Sequence, residues 1–404
     1  MNESTSETNA DRRSKPAKVG TDVQMLHVPS AEEVFSRSGV EVLTPPAIWT
    51  RQQADFVVDL SGGSIAHDLQ MPKRHELHGT YTACYEEAEL FGHHHLHAFV
   101  TKGSTFDCQD ISGYERRLRF HVTHHPGRNL PMPQITYDGG RFLIDRSKLK
   151  SDQLTVISEP AFFGTPIEPM NWGMWLLQAV PAATYFLERR PAAKFLACIE
   201  KVWQRELLLT LGLRNDEIIH QSLGCTYRCK SLTALQYSHI DLVPTALDQE
   251  TFHRIAYKFA PDANITAQRK IFLSRRSITR LSGGKYRALV NEEEVIDAVS
   301  ALGFEIFEPE SLSFSEQIRL FREAGLIVGL GGAALFNTIF CEPGTRVISI
   351  ESSNSFIHGH ATLFASLGLR YAVIFGRQDI TDLTEVQKRW SIDVTALAGV
   401  LRNL

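Results

Sequence analysis

Leu326-Ile327-Val328-Gly329-Leu330-Gly331-Gly332-Ala333-Ala334 is the stretch that decides the fold. The run from Leu326 to Leu330 has no polar side chain. That is the signature of a strand buried on both faces in a parallel sheet. Gly331-Gly332 then reads as a strand-to-helix turn, with the helix opening at the alanines. Such a turn brings backbone N–H groups and the positive helix end to the carboxyl edge of the sheet, where open α/β folds bind ligands. Glycine there would let an anion approach the backbone closely. The pair is no G-x-G-x-x-G fingerprint, so a nicotinamide cofactor is not favoured. A tight turn without a ligand would use the same two residues, so the neighbouring segments must decide.

Upstream, Lys270 to Leu273 predicts a strand leading to Ser274-Arg275-Arg276. Asn291 reads as a helix cap, with Glu294 in the capping-box position. That helix would bury Val295, Ile296, Val299 and Leu302 and stop at Gly303, before a strand over Phe304 to Phe307. Ser313 with Glu316 predicts a second capping box, ahead of a helix with Phe314, Ile318 and Phe321 on one face and Gly325 at its end. Downstream come a strand over Arg346 to Ile350, a helix over His358 to Leu367 and a strand over Arg370 to Phe375. Asp382 to Leu401 reads as one amphipathic helix carrying Leu383, Val386, Trp390, Val394 and Leu397. Strands alternating with helices argue for a doubly wound parallel sheet. At its carboxyl edge Arg275, Arg276 and Arg287 could neutralise a diphosphate by two-pronged hydrogen bonds. Surface charge is the other reading of these arginines. Glu351 could accept from ribose hydroxyls or end its strand in solvent.

The first half is less regular. Ala54 to Leu60, Leu96 to Thr101 and Arg141 to Asp145 read as strands. Asn171 to Glu188 predicts a helix, with Trp172, Trp175, Leu176, Ala179 and Val180 at helical spacing and Pro181 as a potential kink. A second helix is expected over Ala192 to Leu211, closed by Gly212. The division expected is a disordered tail over 1–44, an α/β domain over 45–265, a second α/β domain over 266–378 and a terminal helix over 379–404.

The chain has 404 residues, enough for two or three domains with real cores, and a net charge of -4, which gives no polyanion-binding balance. Nucleic acid is therefore not expected as a partner. The six cysteines, Cys84, Cys108, Cys198, Cys225, Cys229 and Cys341, suggest no disulfide framework or zinc motif and read as reduced thiols. Met1 to Gly20 has no apolar core of a signal peptide, and no run approaches the roughly 18 apolar residues of a membrane span. The expectation is a cytoplasmic protein. Association with a membrane surface is left open, and oligomeric state is not legible.

Several segments together resemble glycosyltransferase family 61. They are Ile271-Phe272-Leu273-Ser274-Arg275, then Arg287 with Asn291-Glu292, then Gly303-Phe304-Glu305, and Pro309-Glu310-Ser311-Leu312-Ser313-Phe314-Ser315-Glu316-Gln317. Gly331-Gly332-Ala333-Ala334-Leu335-Phe336-Asn337, Phe340 and Pro343-Gly344-Thr345 continue the match. Asn171-Trp172-Gly173-Met174-Trp175-Leu176, with Pro181, is a weaker similarity in the first half. The resemblance implies a GT-B architecture: two Rossmann-like domains facing a cleft, with the C-terminal helix packing back on the first domain. It implies inverting, metal-independent transfer from a nucleotide sugar (UDP-linked being one candidate) to a glycan or lipid-linked glycan, in surface or capsular polysaccharide assembly. No separate cofactor is implied. Arg275, Arg287, Asn291, Gly332, Ala333 and Asn337 would lie near the donor, with Gly331 and Glu351 added by position; Asn171 and Trp175 would face the acceptor. The family's usual His before Gly-Ala is Gly331 here, and the usual His of the first-domain helix is Met174. Candidates for a base are Glu168, His220 and His239, and no spacing selects among them. An inactive nucleotide-binding module on the same scaffold is the alternative that these departures raise.

His93-His94-His95-Leu96-His97 and His121, His124 and His125 form a separate cluster. On adjacent strands, His95, His97 and His121 could bind zinc. The plainer reading is a polar His-rich surface, because no acidic residue at fixed spacing completes a metal motif.

Overall fold

A computed structural model describes residues 23–26, 32–33, 36, 38–62, 67–77, 79–92, 97–101, 105–108, 135–138, 141–148, 154–222, 224–236, 242–283, 287–353, 358–378 and 389–404. Residues 1–22 of the expected tail, His93 to His95, His121 to His125, His239, Leu383 and Val386 lie outside these residues; within the tail expected over 1–44, Val23–Leu26 and Val40–Thr44 are instead strands, paired with Phe142–Asp145 and with Thr80–Ala83.

The first half is built on a nine-stranded mixed sheet. Its strands are β1 (Val40–Thr44), β3 (Thr80–Gly92), β4 (His97–Thr101), β5 (Thr105–Cys108), β6 (Leu154–Ile157), β7 (Ala161–Phe163), β8 (Lys194–Ala197), β9 (Ile218–His220) and β10 (Thr226–Gln236). β2 (Phe56–Asp59) goes to the other sheet. The order is β9-β8-β7-β10-β3-β4-β5, with β6 also on β10 and β1 also on β3. β7, β8, β9 and β10 run parallel, and β3 joins β10 antiparallel.

Helices connect the parallel strands. α1 (Trp172–Met174) passes through a π-turn (Trp175–Ala179) into α2 (Val180–Arg189). Pro181 has no N–H to give the preceding turn, and the wider π-turn stands where a proline kink was expected. The Val180 N–H reaches back to the Trp175 carbonyl. Arg190 ends α2 in the left-handed region at φ 43.

The expected helix over Ala192 to Leu211 is a strand followed by a helix. β8 occupies Lys194–Ala197, and α3 spans Val202–Leu211 before Gly212 at φ 121. Phe195, Leu196 and Ala197 are fully buried between neighbouring strands. A short apolar run buried on all sides carries no period that separates strand from helix. α4 (Ala246–Phe259) leads to the second half, capped by the Thr245 hydroxyl.

The second sheet matches the reading from Leu326 to Leu330. Its strands are β11 (Arg269–Leu273), β12 (Glu305–Phe307), β13 (Ala324–Leu330), β14 (Arg346–Ser352) and β15 (Arg370–Gln378), parallel in the order β12-β11-β13-β14-β15. Alternate residues serve opposite faces. Ile271, Leu273, Ile327, Val347 and Val373 join one core, while Phe272, Val328, Ile348, Ile350 and Ala372 join another. Each such buried large side chain contributes roughly 1.5–3 kcal/mol, which explains why polar residues are absent from the run. The helices are α5 (Arg276–Leu281), α6 (Glu292–Ala301), α7 (Phe314–Glu323), α8 (His358–Ser366) and α9 (Val394–Arg402), with a 3-10 helix over Ala333–Phe340. Ser313 and Glu316 form the expected capping box. Gly325 does not end α7. It lies inside β13, where a Cβ would stand 2.9 Å from the Gln268 Cα.

Two long-range features differ from the expected division. β2 adds a parallel strand beyond β15, pairing Phe56 with Ala372 and Asp59 with Phe375. The second sheet therefore contains residues assigned by sequence to the 45–265 unit. Trp390 is not helical: β16 (Trp390–Ser391) pairs antiparallel with Arg377 and Gln378. α9 packs against α6 on the second sheet, with Leu397 and Leu401 in the core of Val295 and Val299, and not back on the first half. One core unites the two halves, running from Phe162 and Trp175 to Phe336 and Phe340. Among the described residues no helix is long and apolar enough to cross a membrane.

Candidate active site

The strand order β12-β11-β13 reverses direction between β11 and β13, and a crevice opens at the carboxyl ends of strands at such a switch point. Ser274-Arg275 follows β11 and Gly331-Gly332 follows β13, so both arrive at this crevice. It continues into a cavity of about 1270 Å³ between the halves. Glu168, Asn171, Trp172, Trp203 and Glu206 line it from the first half. Arg275, Arg287, Gly332, Ala333, Phe336 and Asn337 line it from the second.

Arg275 is fixed at both ends. Its backbone N–H donates to Glu292 Oε1 at 2.7 Å, and the Ser274 hydroxyl donates to the same oxygen at 2.7 Å. Its guanidinium donates to the Gly331 carbonyl. A Cβ on Gly332 would collide with that guanidinium, so any larger residue there would displace Arg275 from its present position. Glu292 is buried at 5 % exposure, and its Oε2 has no partner among the described residues. Burial raises its carboxyl above the usual range, although Ser274 and Arg275 hold it down in part.

Arg287 adopts the left-handed φ of 51 and presents a side chain only 11 % exposed to the cavity. Its Nη2 lies 3.4 Å from Glu351 Oε2. The Trp390 indole donates to its carbonyl at 3.1 Å. Phosphate-sized anions could meet these two guanidinium groups together with the first N–H groups of the 3-10 helix, which have no partner within the helix.

The structure separates the expected donor residues. Arg275, Arg287, Gly332, Ala333 and Asn337 line the cavity. Asn291, Gly331 and Glu351 do not line it. Asn291 stands at the helix start, but its side chain does not cap α6. Its amide is spent on Ile392, donating at 2.8 Å and accepting at 3.3 Å. Gly331 faces the Glu351 carboxylate, which fills the space a Cβ would need. Glu351 itself is neither a solvated strand end nor open to a ribose, because its side chain is fully buried. Asn337 accepts from the Trp172 indole at 3.3 Å, a polar contact between the halves.

On the other wall, Asn171 caps α1 through the Gly173 N–H and donates to Glu168 Oε2 at 2.8 Å. Trp175 does not face the cavity. It is fully buried and donates to the Pro169 carbonyl at 2.7 Å. Trp172 and Trp203 take its place at the wall, their rings meeting edge to face at 5.3 Å. His220 ends edge strand β9 outside the cavity lining, accepting from the Ile199 N–H at 3.1 Å. Among the described residues no three His, Cys, Asp or Glu side chains gather as a metal set. His95 and His121 lie outside these residues, and of His97 only the strand position is described. Sequence reasoning missed Trp203, Glu206 and the anchoring role of Glu292. Glu292 follows Asn291 in the quoted motif, so its placement at a helix start was a usable signal.

A family model described as Glycosyltransferase 61 matches residues 141–348, slightly more than half of the chain. The chain belongs to glycosyltransferase family 61. The matched residues span both walls, from β7 and α1 to β13 and the Gly332 turn. Family membership implies a sugar donor and a glycan acceptor. No curated protein matches the chain.

Proposed function

We propose that the protein transfers a sugar from a nucleotide sugar to a glycan hydroxyl with inversion, on a GT-B-type cleft, in surface or capsular polysaccharide assembly. One observation carries the reading: the second half brings two arginines to the cavity at the Gly332 turn, beside Glu310, and the first half brings two glutamates to the opposite wall. Arg275 and Arg287 flank the Gly332 turn, while Glu168 and Glu206 face them from the first half. The donor diphosphate lies against the two guanidinium groups and the first turn of the 3-10 helix. The acceptor enters along Trp203 and Glu168.

Of the three candidate bases, Glu168 lines the cavity, and the Asn171 amide orients its carboxylate. The acceptor oxygen attacks the anomeric carbon on the face opposite the leaving group. The bond to the diphosphate oxygen breaks, its electrons leave with the nucleoside diphosphate, and Glu168 takes the acceptor proton. The arginines stabilise the charge that develops on the diphosphate without needing a metal for that task.

The test is a melting panel of wild type and Arg275→Ala with UDP, GDP, CMP and ADP, followed by a transfer assay with the sugar nucleotide it selects, with and without a chelator. A ligand at 100 times its Kd adds about 2.7 kcal/mol of stability. A nucleotide that stabilises wild type and not the variant, with turnover that survives chelation, supports the reading. Binding without turnover reduces the protein to a nucleotide-binding module, and no binding removes the donor site.

A further inference from the structure

We infer that His360 and Glu351 are a buried positioning pair that sets the Arg287 guanidinium in the cleft. Both lie beyond the residues matched by the family model. Glu351 sits near the end of β14 and His360 in the first turn of α8, each with a fully buried side chain. Three groups converge on the Glu351 carboxylate. The Ser349 hydroxyl donates to Oε1 at 2.6 Å, His360 Nδ1 faces Oε1 at 3.3 Å, and Arg287 Nη2 reaches Oε2 at 3.4 Å. Oε1 thus faces Ser349 and His360, while Oε2 faces Arg287 and Gly331.

The imidazole is held at a cost. Its ring packs edge-on to Phe336 at 5.1 Å and stacked on Phe364 at 5.9 Å. Among the described residues its Nε2 is buried with no partner. An unsatisfied buried polar atom costs about 1–3 kcal/mol, which an apolar residue between two phenylalanines would avoid. What the imidazole gains over an apolar ring is its polar contact with Glu351. A carboxylate held by Ser349 and His360 has one orientation, and Arg287 has to meet it there. Arg287 stands at a bend with left-handed backbone, and its guanidinium meets Glu351 at 3.4 Å. Gly331 leaves the Glu351 carboxylate room to pass.

This rests on the donor reading of Arg287, and the experiment separates the two. Full-length wild type, His360→Phe, His360→Asn, Glu351→Gln and Arg287→Ala are titrated with UDP. Arg287 is also labelled with phenylglyoxal and followed by peptide mass spectrometry. Misplacing a binding group by about 1 Å can cost up to a hundredfold. His360→Phe keeps the ring packing and should weaken UDP binding by about tenfold or more and speed labelling of Arg287. His360→Asn, whose amide can reach Glu351, should recover most of both. Glu351→Gln gives the same loss should the phenylalanine variant fail to fold. His360→Phe added to Arg287→Ala should cost nothing more. Unchanged labelling in both His360→Phe and Glu351→Gln overturns the inference, as do losses that simply add in the double variant. If wild type does not bind UDP, GDP, CMP or ADP, the donor reading falls, while the labelling still decides how Arg287 is held.

Discussion

The two walls of the cleft are held in opposite ways. The wall of the first half stands on interlocked rings: Trp172 and Trp175 both set their edges against Trp203, at 5.3 and 5.5 Å. The wall of the second half stands on carboxylates behind arginines, Glu292 for Arg275 and Glu351 for Arg287. Ring packing gives a shape that tolerates a neutral ligand. Polar anchoring gives fixed charges that need not reorganise when an anion arrives. The difference predicts that damage to one wall registers as lost stability and damage to the other as lost function.

Trp175→Ala should have the largest effect. Truncating a buried Trp costs about 3–5 kcal/mol, so calorimetry should find the melting point lowered by roughly 4–6 °C. A small change there would mean that the ring cluster is not what holds this wall. Arg275→Ala should do the reverse, lowering turnover by about 10²–10³-fold. It should leave the melting point within about a degree or two of wild type, since the truncation removes the guanidinium contact with the Gly331 carbonyl but keeps the backbone hydrogen bond to Glu292, and one such bond is worth about 0.5–1.5 kcal/mol. A stability loss as large as that of Trp175→Ala would erase the contrast between the walls.

Gly173→Ala probes the seam where the walls meet. Its Cβ would enter the Phe336 ring, and overpacking of this kind costs about 1–3 kcal/mol. Both melting point and donor binding should suffer, because Phe336 also lines the cavity. Retention of both would show that the halves part easily at this point.

Glu292→Gln should have the smallest effect, read as a pH slope. Burial raises the folded-state pKa of Glu292 above its unfolded value. The stability associated with its protonated form is complete below the ordinary carboxylate range near 4.3 and is lost as pH rises through the raised value. Glutamine does not ionise. The melting point of the variant relative to wild type should therefore climb from about pH 4 upward and then level off. A difference that stays flat with pH would mean that the carboxylate is better solvated than its position between Ser274 and Arg275 implies.

What the sequence disclosed follows the range of the forces involved. β11, β13, β14 and β15 were legible because burial on both faces writes an apolar run, and Ser313 with Glu316 because a capping box closes within four residues. β8 looked helical because three successive buried residues carry no period. Asn291 looked like a cap because its true partner, Ile392, is 101 residues away. Of the site, the cavity-lining Arg275, Arg287, Gly332, Ala333 and Asn337 could be named from their motifs. Trp175 could not be told from Trp172, since three residues' separation leaves both on neighbouring helix positions and only tertiary packing decides which one turns inward. His360 had no local signal at all, because its contact with Glu351 exists only once β14 and α8 have packed.

The edge strand β2 also sets a schedule for biosynthesis. Phe56 pairs with Ala372, and 316 residues of chain separate them, 372 minus 56. At roughly 5–20 residues per second, β2 leaves the ribosome about 15–60 s before its partner exists. During that interval an apolar Phe-Val-Val segment waits without its sheet, a natural docking point for chaperones. A fragment begun after residue 265 would meet the converse problem, an uncovered β15 edge able to pair with another copy.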